Sequence, residues 1–267
     1  MNSSWMITIR IALQFMRRDF FIHARRIHVW LINYSILKPI LYSLYIAYIQ
    51  ARVFFGAAGD PIRGTTIFAG EMLFVIFPLT YHLMIPLLYD LEGERFIDYQ
   101  IIMLKPQWVI IQRIFFSSLF TFAMAVPFFP ISKLILGANL ATENTQWVTL
   151  CLFLYLCCLA ASAYHMLAAC ALKNSQGTRM LWARINIPLI FLGGMSVPLY
   201  IVKLYSPLLG AISYANPVIY MSEGLRQVLL GADHYLPISG CVGALGLFTL
   251  VFTLSACYCF KKRVDHI

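Results

Sequence analysis

The sequence predicts an all-α, polytopic membrane protein with six transmembrane helices behind an N-terminal interfacial helix, and three observations lead there. Hydrophobic residues make up 61% of the 267 and charged residues only 12%, with a mean hydropathy of +0.77. That is more apolar surface than one soluble core of this size can hide. Six stretches approach the roughly 20 apolar residues needed to cross about 30 Å of hydrocarbon; they lie at about 34–54, 67–89, 109–131, 147–170, 184–202 and 236–259. Lys and Arg cluster at the ends of these stretches and form no separate basic domain, so the net charge of +9 reads as a positive-inside bias and not as a nucleic-acid surface.

Taken in order, the elements have separate justifications. In residues 1–30, Trp5, Ile9, Ala12, Leu13, Met16 and Phe20 share one helical face while Arg10, Gln14, Arg17 and Arg18 gather on another, the pattern of a helix lying at the membrane surface. The first span follows a basic region and ends without a small-residue cleavage site, so it reads as a retained anchor with the N-terminus inside. Six spans then put both termini on the cytoplasmic side. This arrangement leaves fifteen Lys and Arg there and five, Arg52, Arg63, Lys133, Lys203 and Arg226, on the other side.

Between the second and third spans, DLEGERFIDYQIIMLKPQ (Asp90–Gln107) is the most charged stretch, with Asp90, Glu92, Glu94, Arg95, Asp98 and Lys105. It suits a short amphipathic helix ending before Pro106, because a residue preceding proline is pushed out of helical geometry. Ile97, Ile101, Ile102 and Leu104 give it an apolar side that a merely solvated loop does not need. The later loop LKNSQGTRMLWAR, with Lys173, Arg179 and Arg184, reads as a positive-inside anchor.

From Phe191 to Gly231 the chain is apolar enough for lipid yet contains Asn216-Pro217, Glu223 and Arg226. Hydrocarbon cannot satisfy those groups. The segment therefore turns back, lines a protein-enclosed cavity or lies at the interface, which points to something crossing the membrane through this protein. Glu223 and Arg226 stand at i,i+3 and can pair.

Other polar residues read more simply. Lys38, before Pro39, snorkels to the inner interface or meets an anionic headgroup. His82 and His165 lack a neighbouring carboxylate or cysteine at ligand spacing and suit helix–helix hydrogen bonds. Glu71 falls near the outer start of its span. The seven cysteines lie in or beside spans, an odd number that argues against a full disulfide framework, and no metal site is expected. The 20 Phe and 15 Tyr suit a lining for an amphipathic or glycosidic molecule or the interfacial belts.

Glu94-Arg95 followed by Asp98, an aliphatic run and Pro106, and later FLGGMSVPL leading through ANPVIYMSEGLRQVLLG to a last span and a basic tail, resembles the type-2 ATP-binding-cassette (ABC) exporter permeases over nearly the whole chain. The most specific part is Asn216-Pro217-x-x-Tyr220 with Arg226 and Gly231. Asp98-Tyr99 and Leu104 replace the family's usual Gly-Thr and earlier proline. The ending is more similar to the drug- and lipid-type branch than to the polysaccharide branch.

The resemblance implies one permease domain over 1–267. Residues 90–108 are then a coupling helix seated in a cytoplasmic ATPase, with Glu92, Glu94, Arg95, Asp98 and Pro106 at or beside the contact; Lys173, Arg179 and Arg184 form a second contact. Residues 203–235 become a pair of short re-entrant helices on the outer side, in which Pro217 opens the second helix and Asn216 caps it, with Tyr220, Glu223 and Arg226 in the same hairpin. No catalytic residue, metal or cofactor is assigned to this chain; ATP and Mg belong to a partner ATPase, consistent with the lack of a G-x-x-x-x-G-K-[ST] loop in this sequence. A homodimer in a bacterial inner membrane, exporting an amphipathic drug-like molecule, lipid or glycolipid, is the expectation. An ion-coupled secondary transporter and an integral-membrane lipid-modifying enzyme are the alternatives.

Overall fold

The computed structural model describes residues 2–25, 27–44, 61–93, 96–137, 140–141, 143, 145–231 and 234–264. Every element among them is helical. Helix α1 (Asn2–Ala24) leads into α2 (Ile27–Trp30), a π-helical turn (Leu31–Leu37) and α3 (Lys38–Tyr42). Then come α4 (Pro61–Glu71), α5 (Leu73–Glu92), α6 (Phe96–Met103), α7 (Pro106–Ala125), α8 (Phe128–Leu136) and α9 (Trp147–Ala171). Helix α10 (Gly177–Leu181) continues through a second π-helical turn (Trp182–Asn186) into α11 (Ile187–Leu192), followed by α12 (Leu199–Tyr205), α13 (Pro207–Ser213), α14 (Pro217–Leu230) and α15 (Ile238–Val264).

Among the described residues, four helical stretches are long and apolar enough to cross a membrane: Gly64–Glu92, Pro106–Leu136, Trp147–Ala171 and Ile238–Val264. They coincide with the second, third, fourth and sixth stretches expected from the sequence. The first expected stretch is described only as far as residue 44, and its remainder lies outside the described residues. The fifth is not one continuous helix, because the chain from Gly177 to Leu192 stops at Gly193-Gly194 and resumes at Leu199. The π-helical turns at Leu31–Leu37 and Trp182–Asn186 each run up to a proline, Pro39 and Pro188. Proline lacks the N–H that would bond four residues back and its ring crowds that carbonyl, so the wider turn relieves the clash without ending the helix.

Helix α9 is central and packs on α5, α7 and α15. Its buried face is built from Cys157, Cys158, Ala160, Ala161, Ser162, Ala163, Ala168 and Ala169, small groups that let neighbouring backbones approach closely. The buried apolar residues divide into two groups along the bundle: one around Phe68, Phe77, Phe128 and Leu225, the other around Met84, Leu87, Val109 and Phe260. Helix α1 lies across α7 and turns Ile11, Ala12 and Phe15 inward. Of its expected apolar face, Ala12 and Met16 pack on the bundle, whereas Ile9, Leu13 and Phe20 remain exposed. The helix is thus apolar on two sides, which a hydrophobic pattern read along one helix does not divide between protein and lipid.

Candidate functional site

Polar side chains gather at both ends of the bundle. At one end, Lys105 takes an extended backbone ahead of Pro106, which occupies the first turn of α7, so the short helix α6 is set off from α7 by a sharp corner. Ile97 and Leu104 bury their side chains in the second apolar group. Gln100, fully buried between them, accepts a hydrogen bond of 2.8 Å from the Arg113 guanidinium, which also pairs with Asp90. Asp90 ends α5 and Arg113 lies in α7, so one arginine fixes α6 to both spans that flank it. The opposite face of α6 is bare: Asp98 is exposed, as are Tyr99 (64%), Ile102 (83%) and Met103.

Helix α1 closes the side of this assembly. Gln112 donates to Asp19 at 3.0 Å, and Arg18 stacks over the Phe96 ring at the start of α6, 3.2 Å from its centroid. Burial lowers the Arg18 pKa while Asp19 and Asp90 raise it, and the guanidinium stays charged. Glu92 accepts a hydrogen bond from the backbone N–H of Ser175, tying the end of α5 to the 172–176 loop. The two segments expected from the sequence as separate contacts are therefore physically joined. Arg263 extends the join, donating to the carbonyls of Leu172 and Lys173 at the end of α9. Lys173, Arg179 and Arg184 are exposed around it. Glu94 and Arg95 lie outside the described residues.

At the other end, α14 holds a tight turn. Asn216 caps α14, its side chain accepting from the N–H of Val218 at 3.0 Å with Pro217 in the first turn, and its amide donates to the Leu189 carbonyl at 2.7 Å. Arg226 is fully buried. It pairs with Glu223 at 2.8 Å and donates to the carbonyls of Thr66, Gly194 and Met195. Glu223 also accepts from the N–H of Leu199 at 3.0 Å, and Ser222 donates to the Gly193 carbonyl at 2.7 Å. The non-helical backbone at 193–195 thus has its carbonyls met by side chains of α14, which is what allows it to sit inside an apolar bundle. Gly194 has φ +75°, and a Cβ there would lie 2.8 Å from Ile219. Tyr220 donates to the Tyr214 carbonyl at 2.9 Å.

Sequence reasoning placed Asn216, Pro217, Glu223 and Arg226 in one segment; Glu223 and Arg226 pair and hold the turn at 193–195, whereas Asn216 and Pro217 start α14 and Asn216 ties it separately to the Leu189 carbonyl. It missed the Asp90–Arg113–Gln100 arrangement, because the three are 10 or more residues apart and Arg113 reads as one more inside-facing cation. Glu71, expected near the outer start of its span where water is close, is instead fully buried, with both carboxylate oxygens lacking a hydrogen-bond partner among the described residues. Lys38 does not reach outward: it donates to the Phe74 carbonyl at 3.0 Å over the Tyr34 ring. That carbonyl is free because Pro78, four residues on, has no N–H to offer. His165 bridges helices as expected, bonded through Nδ1 to Thr80 and the Ala161 carbonyl and through Nε2 to Asn186, which in turn accepts from Tyr164. His82 bonds the Pro78 carbonyl within its own helix and contacts the Tyr34 hydroxyl across helices. Among the described residues no group of His, Cys, Asp and Glu is placed to hold a metal.

Comparison with curated proteins and with solved structures gives no match. A family model described as ABC-2 type transporter matches residues 5–230, from the first turn of α1 to the end of α14. A rod fixed between two spans and a side-chain-bound turn at the far end thus belong to a chain that is a membrane permease subunit of an ABC transporter, a member of the ABC-2 type transporter family.

Proposed function

We propose that this permease is one of two identical subunits of an exporter that carries an amphipathic molecule, drug-like, lipid or glycolipid, outward across a bacterial inner membrane. The family implies an ABC ATPase as partner. The observation that carries the coupling role is α6: one face is locked to α5 and α7 through Arg113, and the other offers Tyr99, Ile102 and Met103 beside Asp98 at a polar end of the bundle. Apolar side chains exposed there suit a protein cleft better than water or lipid. A helix held to two spans transmits a push as a unit, because packed helices shift rigidly. Glu92, Glu94, Arg95 and Asp98 are the charged contacts of this surface and Pro106 its corner, with Lys173, Arg179 and Arg184 as the second contact. Both termini then lie in the cytoplasm.

In this reading the chain crosses six times. The crossings outside the four long helices are the stretch beginning at α2 and the interrupted one ending at Leu192, and 203–235 forms the re-entrant outer hairpin. A second copy has a physical motive. Around the break, Phe191 and Leu192 are exposed beside Ser196 and Val197, exposed residues of non-helical backbone, which lipid does not tolerate but protein or a watery pathway does. Two such faces meeting about a two-fold axis enclose a route. Membership of the ABC-2 family favours this reading over the ion-coupled and enzymatic alternatives.

The test is Ile102→Glu. The purified variant should insert and fold normally, yet bind its ATPase at least about fivefold more weakly, the loss of one central interface anchor. Glu94→Ala should likewise keep insertion while sharply reducing transport-linked ATP turnover. Unchanged association and turnover in both variants would remove α6 as the coupling element.

A further inference from the structure

We propose that the seam between α1 and the bundle binds an anionic diacyl lipid, its phosphate in an arginine-lined cavity and an acyl chain in the apolar groove beside it. The cavity, about 560 Å³, opens between the end of α1, α2, the C-terminal half of α5 and the N-terminal half of α7, with Arg18, His23, Arg25, Trp30 and Tyr89 in its walls. Its three arginines face two carboxylates. Asp90 is taken by Arg113, and Asp19 is shared between Gln112 and Arg18, whose Nη1 is buried 3.6 Å from it without a hydrogen bond. Arg25 has no counter-ion among the described residues. The cavity therefore carries an excess cation and unused donors, which a phosphate diester supplies with charge and acceptors.

On the other side of α1 lies a groove of about 460 Å³ lined by Met16, Phe20, Phe116, Leu119, Phe120 and Ala123, with Arg17 also on its wall. The two spaces share a wall. His23 packs its ring 5.5 Å from Phe116 and 5.6 Å from Phe120, and Trp30 sits edge-on to Phe120 at 6.2 Å. A cationic recess and an apolar trough side by side match the two halves of one amphiphile, and neither a free anion nor a peptide helix uses both. Lipid binding at this seam can be read without the ATPase.

Trp30 lines the cavity and packs on Phe120 of the groove wall, so it serves as the reporter. The permease is reconstituted in phosphatidylcholine vesicles containing a small fraction of lipid brominated on the acyl chain, and the Trp30 signal is taken as the difference between wild type and Trp30→Phe. Brominated phosphatidylglycerol should quench that signal at mole fractions about fivefold lower than brominated phosphatidylcholine does, the size expected for one basic side chain near an anionic headgroup. Arg18→Gln with Arg25→Gln should abolish the preference. Ala123→Phe, which fills the groove and leaves the arginines alone, should weaken quenching by both lipids. Millimolar inorganic phosphate should not displace the lipid. Equal quenching by the two lipids in wild type overturns the proposal whatever the variants do, and full displacement by phosphate reassigns the cavity to a soluble anion.

Discussion

Arg226 shows how one side chain can decide a local architecture. It is fully buried, yet its guanidinium donors reach Glu223 and three carbonyls from two other segments of the chain. Arg226→Met removes the charge and leaves Glu223 and those carbonyls unanswered, so a loss of about 3–5 kcal/mol is expected, as for one partner of a buried pair. Glu223→Gln should cost clearly less, because the amide oxygen still accepts from Leu199 and Arg226. Thermal unfolding of the detergent-purified chain checks the order; equal losses would mean the pair, and not the carbonyls, carries the effect. Gly70 makes a second residue-scale case. A Cβ there would lie 1.8 Å from the Met195 carbonyl oxygen, and backbone cannot swing aside as a flexible side chain can. Gly70→Ala should therefore separate α4 from the turn and reduce the yield of folded protein more than Gly240→Ala, where an added methyl meets only Pro237 at ordinary contact distance.

At the scale of elements, prolines set where helices bend and side chains repair what they leave open. Pro78 strips the Phe74 carbonyl of its helical partner, and Lys38 from α3 supplies the missing donor. Lys38→Met should cost about 1–3 kcal/mol, the penalty of an unsatisfied buried acceptor. Placing Pro78→Ala beside it restores the N–H and should recover most of the loss, which a double-mutant cycle measures. Helix α6 is the other element whose meaning comes from its attachments. Gln100→Leu keeps the Asp90–Arg113 pair but cuts the rod loose from it, so ATP hydrolysis in the assembled complex should continue while transport per ATP falls. Retained coupling in that variant would show that Ile97 and Leu104 hold the rod unaided.

For the whole molecule, the exposed apolar surface is of two kinds. The outward face of α15, with Leu247, Leu250, Val251 and Leu254, is regular helix and suits lipid directly. The surface around Phe191 and Leu192 borders an interrupted helix and suits another protein surface. Phe191→Cys, in a chain whose accessible Cys151, Cys257 and Cys259 are replaced by Ala, should cross-link to a second copy in membranes, and Leu250→Cys should not. The reverse result would move the dimer contact to the last helix.

The sequence alone determined the class and much of the layout. Twenty-residue apolar runs in an aqueous ribosome product have few outcomes besides membrane helices, and Asn216-Pro217 is a local signal of where a helix starts because cap and first turn are adjacent in the chain. Glu223 and Arg226 were legible as a pair for the same reason, being one turn apart. The tertiary structure decided which carbonyls Arg226 holds, how Asp90 and Arg113 fix Gln100, why Lys38 turns inward, and which side of α1 meets protein. Each of these joins residues distant in the chain across a packed interface, and hydrophobic periodicity reports that a face is buried without naming what it is buried against.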